Sequence, residues 1–484
     1  MGRNQDRKAK IVATLGPVTE NRKSIRELLE AGMDVARINF SHGDHPTHGK
    51  VIKILREESE KMERPITIMQ DLCGPKIRTG ELEVDQVDLQ EGQELILTPE
   101  DVPGNGQKIS VNYDNLPNSV RPGGRILLDD GLLELSVKKI REHEVVTEVK
   151  VGGILKANKG VNLPGADLDM KTLTEKDIRD LEFGLEHEVD LIALSFVRSS
   201  EDIEKLRDAI IEIDEKKANL PIIAKLEHPD AIENLHEIIH ASDGVMVARG
   251  DLGIEMTPER VPIEQKRIIA MANRHLSFVI IATQMLDSMI NNPRPSRAEA
   301  SDVANAIFDG ADSVMLSGET AVGRYPLKTI QMMEAIICQS ESHMEEWGRS
   351  HYQMTEDFVM DDAVSITQAA RELAHDRSVA AVAVFTQSGR TGKLMSKARP
   401  SVPILAFTPQ KSTYQYLSMM WGIHPYLISH AESVEKMLSL VNEAVLKDTP
   451  IQPGQEIVLI AGFPIAKMVP PNFALLHTIE KPGT

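Results

Sequence analysis

The sequence predicts an α/β protein: a (β/α)8 barrel that carries an inserted small all-β domain and is followed by a C-terminal α/β open-sheet domain. Three observations predict it. Eight short apolar runs alternate with amphipathic stretches through the first two thirds of the chain. One unit of that series is interrupted, roughly from Thr79 to Asn162, by a stretch without helical period. From about Asp361 the alternation resumes with turn chemistry of its own.

The eight runs are Ile11–Leu15, Val35–Phe40, Ile66–Leu72, Leu191–Val197, Pro221–Leu226, Gly244–Ala248, Phe278–Ala282 and Ser313–Leu316. They are apolar on both sides, as strands covered on both faces are. Helix signals lie between them. Ser24-x-x-Glu27 reads as a capping box, with Leu28 and Leu29 behind it and Gly32 as a stop. Ser199-x-x-Asp202 opens a run with Ile203, Leu206, Ile210 and Ile213 on one face. Pro262 and Pro326 suit a first helical turn. Eight such units in series favour a closed TIM-type barrel over an open sheet.

The interruption reads as short strands: Glu94–Leu97, Ile109–Tyr113, Arg125–Leu128, Leu132–Lys138 and Val145–Val151. Asp130-Gly131 is a hairpin turn, and Pro103–Gly106 and Pro122–Gly124 are loops. In the last third, Val379–Phe385, Ile404–Phe407, Tyr426–Ile428 and Ile457–Ala461 read as strands separated by helices. The expected boundaries are 1–74 and 165–345 for the barrel, 75–164 for the insertion and 355–484 for the C-terminal domain.

A chain of 484 residues has room for about three domains. Its 54 Lys+Arg against 73 Asp+Glu leave −19 at pH 7, which argues against nucleic acid and anionic membranes as partners. No apolar run approaches the ~18 residues of a membrane span. The start Met1–Lys10 is polar and basic with no apolar run behind it, which predicts no signal peptide; Met1-Gly2 resembles a myristoylation start, but Asp6 stands where Ser or Thr is wanted. The two cysteines, Cys73 and Cys338, make no disulfide framework and fit a reducing cytoplasm.

Some motifs read as something simpler than they look. His236-Glu237-Ile238-Ile239-His240 has zinc-site spacing, but Ile232, Leu235 and Ile239 give the same helix an apolar face and no third ligand is evident, so it reads as a surface helix outside the barrel. His42, His45 and His48 recur every three residues, yet Pro46 breaks a shared face, and a loop entering a helix is the simpler reading. Gly392-Lys393 lacks the rest of a phosphate-binding loop: Leu394 replaces Ser/Thr and Gln387 the first Gly.

In a barrel, functional side chains sit at the C-terminal ends of strands. Six ends carry polar residues: Arg37-Ile-Asn39-Phe-Ser41, Asp71, Lys225-Leu-Glu227, Arg249-Gly-Asp251, Thr283-Gln284 and Ser317-Gly-Glu319. Polar groups inside apolar strands are costly, so six converging on one mouth point to a site. Glu227 and Asp251 are hard oxygen donors, few enough to leave Mg²⁺ open positions for substrate. Lys225 points the same way as Glu227, and Arg37 and Arg78 add positive charge. Metal and cations around a spread negative charge are what phosphoryl transfer needs. Gly250 leaves backbone N–H groups open to an anion, and Asp251-Leu252-Gly253 reads as the start of a short helix that favours a carboxylate.

These residues resemble the pyruvate kinase family, essentially end to end. The motifs that carry the resemblance are Ala36–His42 (ARINFSH), Asp71–Gly80 (DLCGPKIRTG), Lys159–Pro164 (KGVNLP), Ile223–Glu227 (IAKLE), Met246–Gly253 (MVARGDLG), Ala282–Leu286 (ATQML) and Met315–Thr320 (MLSGET), in family order. The resemblance implies transfer of phosphate from phosphoenolpyruvate to ADP, giving pyruvate and ATP. It implies that Lys225 stabilises the transferring phosphoryl group and the enolate, that Arg37 binds the phosphoryl group, and that Glu227 and Asp251 hold Mg²⁺, for which Mn²⁺ can substitute. By the same likeness Gly250, Asp251 and Thr283 meet the substrate, and Thr283 with Ser317 belongs to the route that protonates the enolate. Asn39, His42, Arg78 and Lys159 are implied nucleotide contacts, and the inserted domain is implied to close as a lid. Family members are typically cytoplasmic homotetramers.

One motif departs from many family members, which bind K⁺ through the equivalents of Asn39, Ser41 and Asp71 plus a Thr backbone oxygen, and carry Gly-Pro-Glu. Here the motif is Gly74-Pro75-Lys76, with Leu72 in place of the Thr. The pair resembles the K⁺-independent branch, with the Lys76 ammonium in place of the monovalent cation. In the C-terminal domain, Thr386-Gln387-Ser388-Gly389-Arg390-Thr391 between a strand and a helix suits a phosphate. In the family this loop binds phosphorylated effectors, and a sugar phosphate or a nucleotide is expected. The facing loop, Gly462–Lys467 to Pro470–Asn472, departs from the usual Gly- and Thr-Asn-rich form. Two other readings stay open: an Mg²⁺-dependent lyase or aldolase, which would not need Lys225, Lys159 or a lid, and a silent phosphometabolite sensor, against which the intact Lys225, Glu227, Asp251 and Thr283 argue.

Overall fold

A computed structural model describes residues 7–166, 171–348, 361–465, 467 and 469–481. The Met1-Gly2 start, the ends of the expected domain spans at 1–6, 355–360 and 482–484, and Ala466 of the facing loop lie outside them.

Eight parallel strands close into a barrel: β1 (Lys10–Leu15), β2 (Val35–Asn39), β3 (Thr67–Asp71) and, after the insertion, five more. The insertion holds β4 (Gln86–Leu89), β5 (Glu94–Thr98), β6 (Lys108–Ser110), β7 (Arg125–Leu128), β8 (Leu133–Arg141), β9 (Glu144–Val151), β10 (Gly153–Lys156) and β11 (Val161–Asn162). The barrel resumes with β12 (Leu191–Leu194), β13 (Ile222–Leu226), β14 (Gly244–Ala248), β15 (Phe278–Ala282) and β16 (Ser313–Leu316). Its order is β1-β16-β15-β14-β13-β12-β3-β2, so the insertion leaves closure between β3 and β12 intact.

Strand alternation sorts the barrel residues into two layers. Val12, Val35, Met69, Ile223, Met246, Ile280 and Met315 belong to one buried cluster. Their neighbours Ile11, Ile68, Ile222, Val245, Val279 and Val314 pack with the surrounding helices in another. The inward rows of β2, β3 and β13 run Val35-Arg37, Met69-Asp71 and Ile223-Lys225. An apolar plug therefore fills the barrel, and polar residues appear one step nearer the C-terminal ends.

The insertion forms a six-stranded sheet, β11-β7-β8-β9-β5-β6, and a two-stranded one, β10-β4. The Asp130-Gly131 turn joins β7 to β8, with Asp129, Asp130 and Gly131 all at positive φ. The C-terminal strands β17 (Ala381–Phe385), β18 (Ile404–Thr408), β19 (Ile423–Leu427), β20 (Glu456–Ala461) and β21 (Phe473–Thr478) make an open sheet ordered β19-β18-β17-β20-β21.

Several local expectations are corrected. The helix Arg22–Glu30 is capped by Asn21, whose side chain accepts the Ser24 N–H at 3.1 Å, so Ser24 sits inside the helix; Asn is as good a cap as Ser and comes earlier. The fourth barrel strand stops at Leu194, before Phe196 turns to φ +54°. Strands β4, β10, β11 and β21 escape the sequence pattern, being short or, in β21, without a fully buried face. The Arg249–Glu255 helix opens two residues before Asp251. The His42–His48 stretch is a loop entering the helix His45–Lys61, capped by Asp44, as the spacing suggests.

Candidate active site

At the C-terminal ends of the inward rows the charged residues meet. Arg37 donates from Nε to Asp71 Oδ2 at 2.6 Å and from Nη1 to Thr14 Oγ1 at 2.9 Å. Lys225 Nζ lies 2.9 Å from Glu227 Oε1 and 3.2 Å from Asp71 Oδ1, and donates to Ser195 Oγ at 2.8 Å. The Ser195 hydroxyl donates to the Leu72 carbonyl at 2.5 Å, which leaves its oxygen as an acceptor for Lys225. Glu227 Oε2 accepts the Phe196 N–H at 2.8 Å, a bond made possible by the left-handed turn there. Lys225, Asp71 and Glu227 are all buried.

The electrostatics follow from this packing. Burial alone would discharge Lys225, but Asp71 and Glu227 outweigh it and hold the ammonium firmly protonated. Burial pushes Asp71 up, and Lys225 and Arg37 pull it below the usual carboxylate range. Asp251 is different. Burial first, and then the Glu227 charge, push its carboxyl up to about 6. A buried carboxyl raised in this way beside a second carboxylate makes a donor set for a hard divalent cation, whose charge would favour the ionised Asp251. The residues present therefore fit Mg²⁺.

The helix Arg249–Glu255 begins directly at the end of β14. Gly250 donates its N–H to Thr283 Oγ1 at 2.7 Å. A Cβ at Gly250 would lie 3.4 Å from that oxygen, so glycine keeps the approach between this amide and Thr283 uncrowded. Thr283 has φ +70° and Gln284 φ +53°. For a β-branched residue this is a strained backbone that surrounding contacts must hold. Arg249 holds it: Nη2 donates to the Thr283 carbonyl at 2.7 Å, Nε to the Ala282 carbonyl at 3.3 Å, and Nη1 pairs with Asp302 at 2.5 Å. Arg249→Ala is expected to release Thr283 and lower kcat/KM by about 100-fold, the scale of a 1 Å misplacement. Steady-state kinetics alongside a melting curve check this.

Ser317 follows β16. Its N–H donates to Glu319 Oε2 at 2.7 Å, and Leu286 N–H to Glu319 Oε1 at 3.1 Å, so Glu319 ties two strand ends together. Ser317 Oγ is buried and, among the described residues, has no hydrogen-bond partner. Sequence reading found Arg249 and Glu319 as polar strand ends but gave them no role, and missed Ser195. Their roles are tertiary, and the only signal was their place just beyond apolar runs.

A second cationic group flanks this one. His42 is held below its ordinary value by burial and then by Lys76, Arg78 and Arg37. Three cations converging on one imidazole describe a field that suits phosphates. Arg78 Nη1 donates to the Asn158 carbonyl at 2.8 Å, and Lys159 Nζ pairs with Asp129 at 2.8 Å, both in turns beside the strands of the inserted sheet. That sheet touches the site's helix through Asn162 Nδ2, which donates to Glu255 Oε1 at 3.0 Å. Asn39 Oδ1 accepts the Ser41 N–H at 3.1 Å, and Asn39 lies beside Asp71 in register. Lys76 is half-buried and its charge acts on His42 and Asp251; among the described residues no ion pair joins it to Asp71.

The loop Thr386–Thr391 is remote from this mouth. Thr386 Oγ1 accepts the Gly389 N–H at 3.0 Å, Gly389 takes φ +86°, and Arg390 pairs with Asp361 at 2.9 Å. Thr386, Ser388, Arg390 and Thr391 line a cavity of about 220 Å³ whose other wall includes Gly462, Lys467 and Pro470.

Two family models match the chain: "Pyruvate kinase, barrel domain" over residues 6–330 and "Pyruvate kinase, alpha/beta domain" over residues 364–477. The chain is 41 % identical to a pyruvate kinase of Geobacillus stearothermophilus over 480 residues, covering 98 % of this chain and 81 % of the relative. It is 43 % identical to that of Corynebacterium glutamicum over 459 residues, 95 % of each chain. A crystal structure of a pyruvate kinase from Cryptosporidium parvum superposes with a TM-score of 0.90 at 33 % identity, covering 99 % of this chain and 98 % of that one.

Proposed function

The chain belongs to the pyruvate kinase family, and on that premise we propose that it transfers the phosphoryl group of phosphoenolpyruvate to ADP, giving pyruvate and ATP, at the mouth of the barrel. The observation that carries this reading is the buried Lys225 ammonium, kept charged between Asp71 and Glu227 and aimed by Ser195. A fixed cation sheltered from water stabilises the charge that develops on a transferring phosphoryl group and on the enolate left behind. Arg37, anchored on Asp71 and Thr14, takes the phosphoryl oxygens from the other side. The Gly250 amide, once it exchanges the Thr283 hydroxyl for the ligand, and Thr283 hold the substrate carboxylate beside the short helix. Thr283 and the Ser317 hydroxyl, which has no partner among the described residues, lie on the route that brings a proton to the enolate carbon.

Glu227 and Asp251 would hold Mg²⁺, or Mn²⁺ in its place. When bound, the ion supplies charge neutralisation and alignment of the substrate's oxygens. Asn39, His42, Arg78 and Lys159 receive the ADP phosphates, for which Lys159 must exchange Asp129 for the nucleotide. The inserted sheet serves as a lid, its Asn162–Glu255 contact resting on the helix that bears Asp251. A lid matters because water would compete with ADP as acceptor. The test is stoichiometry: phosphoenolpyruvate, ADP and Mg²⁺ should yield ATP and pyruvate in equal amounts, whereas release of inorganic phosphate or cleavage without ATP would contradict transfer.

The chain's activity is further proposed to be independent of K⁺, with the half-buried Lys76 supplying the positive charge near His42 and Asp251. Lys76→Glu is expected to lower activity by about 100-fold in K⁺-free buffer, the cost of removing one preorganised charge, and to regain it when K⁺ is added. Equal activity of variant and parent without K⁺ would rule the role out. The Thr386–Thr391 cavity is proposed to take a phosphorylated sugar or nucleotide effector, with Arg390 first released from Asp361. A cytoplasmic homotetramer is the proposed setting.

A further inference from the structure

The sequence offers no third ligand for the His236–His240 pair, and the fold corrects that. His236 and His240 stand one turn apart on the exposed face of the helix Leu235–Ala241. His275 caps the neighbouring helix Val261–Arg274 at its C-terminus and is only 8 % exposed. The three rings form a nearly equilateral triangle, with centroids 4.6, 4.7 and 4.8 Å apart. Their candidate ligand nitrogens all lie within 4.8 Å of one another. The His275 ring meets the other two edge-on, at 90° and 76°.

We propose that His236, His240 and His275 form a second metal site, for a divalent transition ion such as Zn²⁺, Co²⁺ or Ni²⁺, with three imidazole ligands and one open position. Imidazole nitrogens prefer these ions to Mg²⁺, so the site is chemically distinct from the carboxylate pair Glu227 and Asp251. A tetrahedral ion with bonds of about 2.0–2.1 Å would draw the nitrogens to roughly 3.3 Å apart. His236 and His240 are exposed and can make that adjustment by small ring rotations, while the buried His275 supplies the fixed point. That fixed point is well built: the backbone turns after the helix, with Leu276 at φ +54° and Ser277 N–H bonded to the Ala272 carbonyl at 2.8 Å.

The site also sits at a junction. Leu276, next to His275, packs with Ala363, Val364 and Leu394 of the C-terminal domain, and Lys397 Nζ donates to Asn273 Oδ1 at 3.0 Å. An ion there ties two barrel helices together directly beneath the contact between barrel and C-terminal domain.

The experiment is titration of the full-length enzyme with Co²⁺ and with Zn²⁺ in excess Mg²⁺. One ion per chain is expected, with the intense visible bands of tetrahedral Co²⁺ and a rise in melting temperature with Zn²⁺. His236→Ala, at an exposed position, should weaken binding by about 100-fold, and the double variant His236→Ala/His240→Ala by more, while the Mg²⁺-supported basal activity stays unchanged. Absence of tetrahedral Co²⁺ bands, or binding that persists undiminished in the double variant, would overturn the proposal.

Discussion

Lys225→Met is expected to reduce kcat by about 10³–10⁵, the scale on which preorganised cations act in phosphoryl transfer. Lys225 is the charge that both buried carboxylates, Asp71 and Glu227, are built around. Methionine keeps the side chain's length and apolar stem, so the loss is one of charge. Among the described residues, the same change leaves the Asp71 side chain with Arg37 and the Glu227 side chain with a backbone N–H. Breaking a buried pair from one side costs about 3–5 kcal/mol, so a lower melting temperature should accompany the lost rate. KM for ADP should move little, because the proposed nucleotide contacts, Asn39, His42, Arg78 and Lys159, do not include Lys225. Lys225→Arg separates charge from fit: Ser195 and the two carboxylates enclose a compact ammonium, and a planar guanidinium should restore stability without restoring the rate. A methionine variant within about tenfold of the parent would remove Lys225 from the chemistry.

Glu227→Gln is the second large effect. The amide is nearly isosteric and can remain beside Phe196, but it lacks the charge that a divalent cation and Lys225 both use. Changes to groups that merely orient ligands cost 10–100-fold in metal affinity, so losing a ligand's charge should weaken Mn²⁺ binding by at least about 100-fold. Electron paramagnetic resonance of free Mn²⁺ reads this directly, without turnover. Activity should fall at ordinary Mg²⁺ and recover in part at high Mg²⁺. Unchanged Mn²⁺ binding would place the metal elsewhere.

The barrel was legible because its strands are covered on both faces, so each appears as an unbroken apolar run, and a polar residue at the end of such a run stands out. Arg37, Asp71, Lys225 and Glu227 were visible in this way, and strand alternation correctly turned them inward. What was not legible depends on contacts between distant segments. Ser195 follows a run like any other loop serine, and only the fold brings it to Lys225. Arg249 looks like a member of the charge cluster but is spent on the Thr283 and Ala282 carbonyls and Asp302. The positive φ of Thr283 contradicts its residue type, and no local rule predicts a strain that Arg249 imposes from outside. His275 was hidden for the same reason: nothing near it in the chain marks it as a partner for a helix elsewhere. Among strands, β21 was missed because the outermost position of the open sheet leaves it half-exposed, without the buried alternation that marks a strand.

The measurement that tests the central claim most directly is pyruvate formation from phosphoenolpyruvate, ADP and Mg²⁺ in buffer free of K⁺ and NH₄⁺, followed by addition of K⁺. Full activity before K⁺ is the predicted result, with no further rise on its addition. Activity that appears only with K⁺ would contradict the role of Lys76, and silence in both conditions would contradict phosphoryl transfer itself.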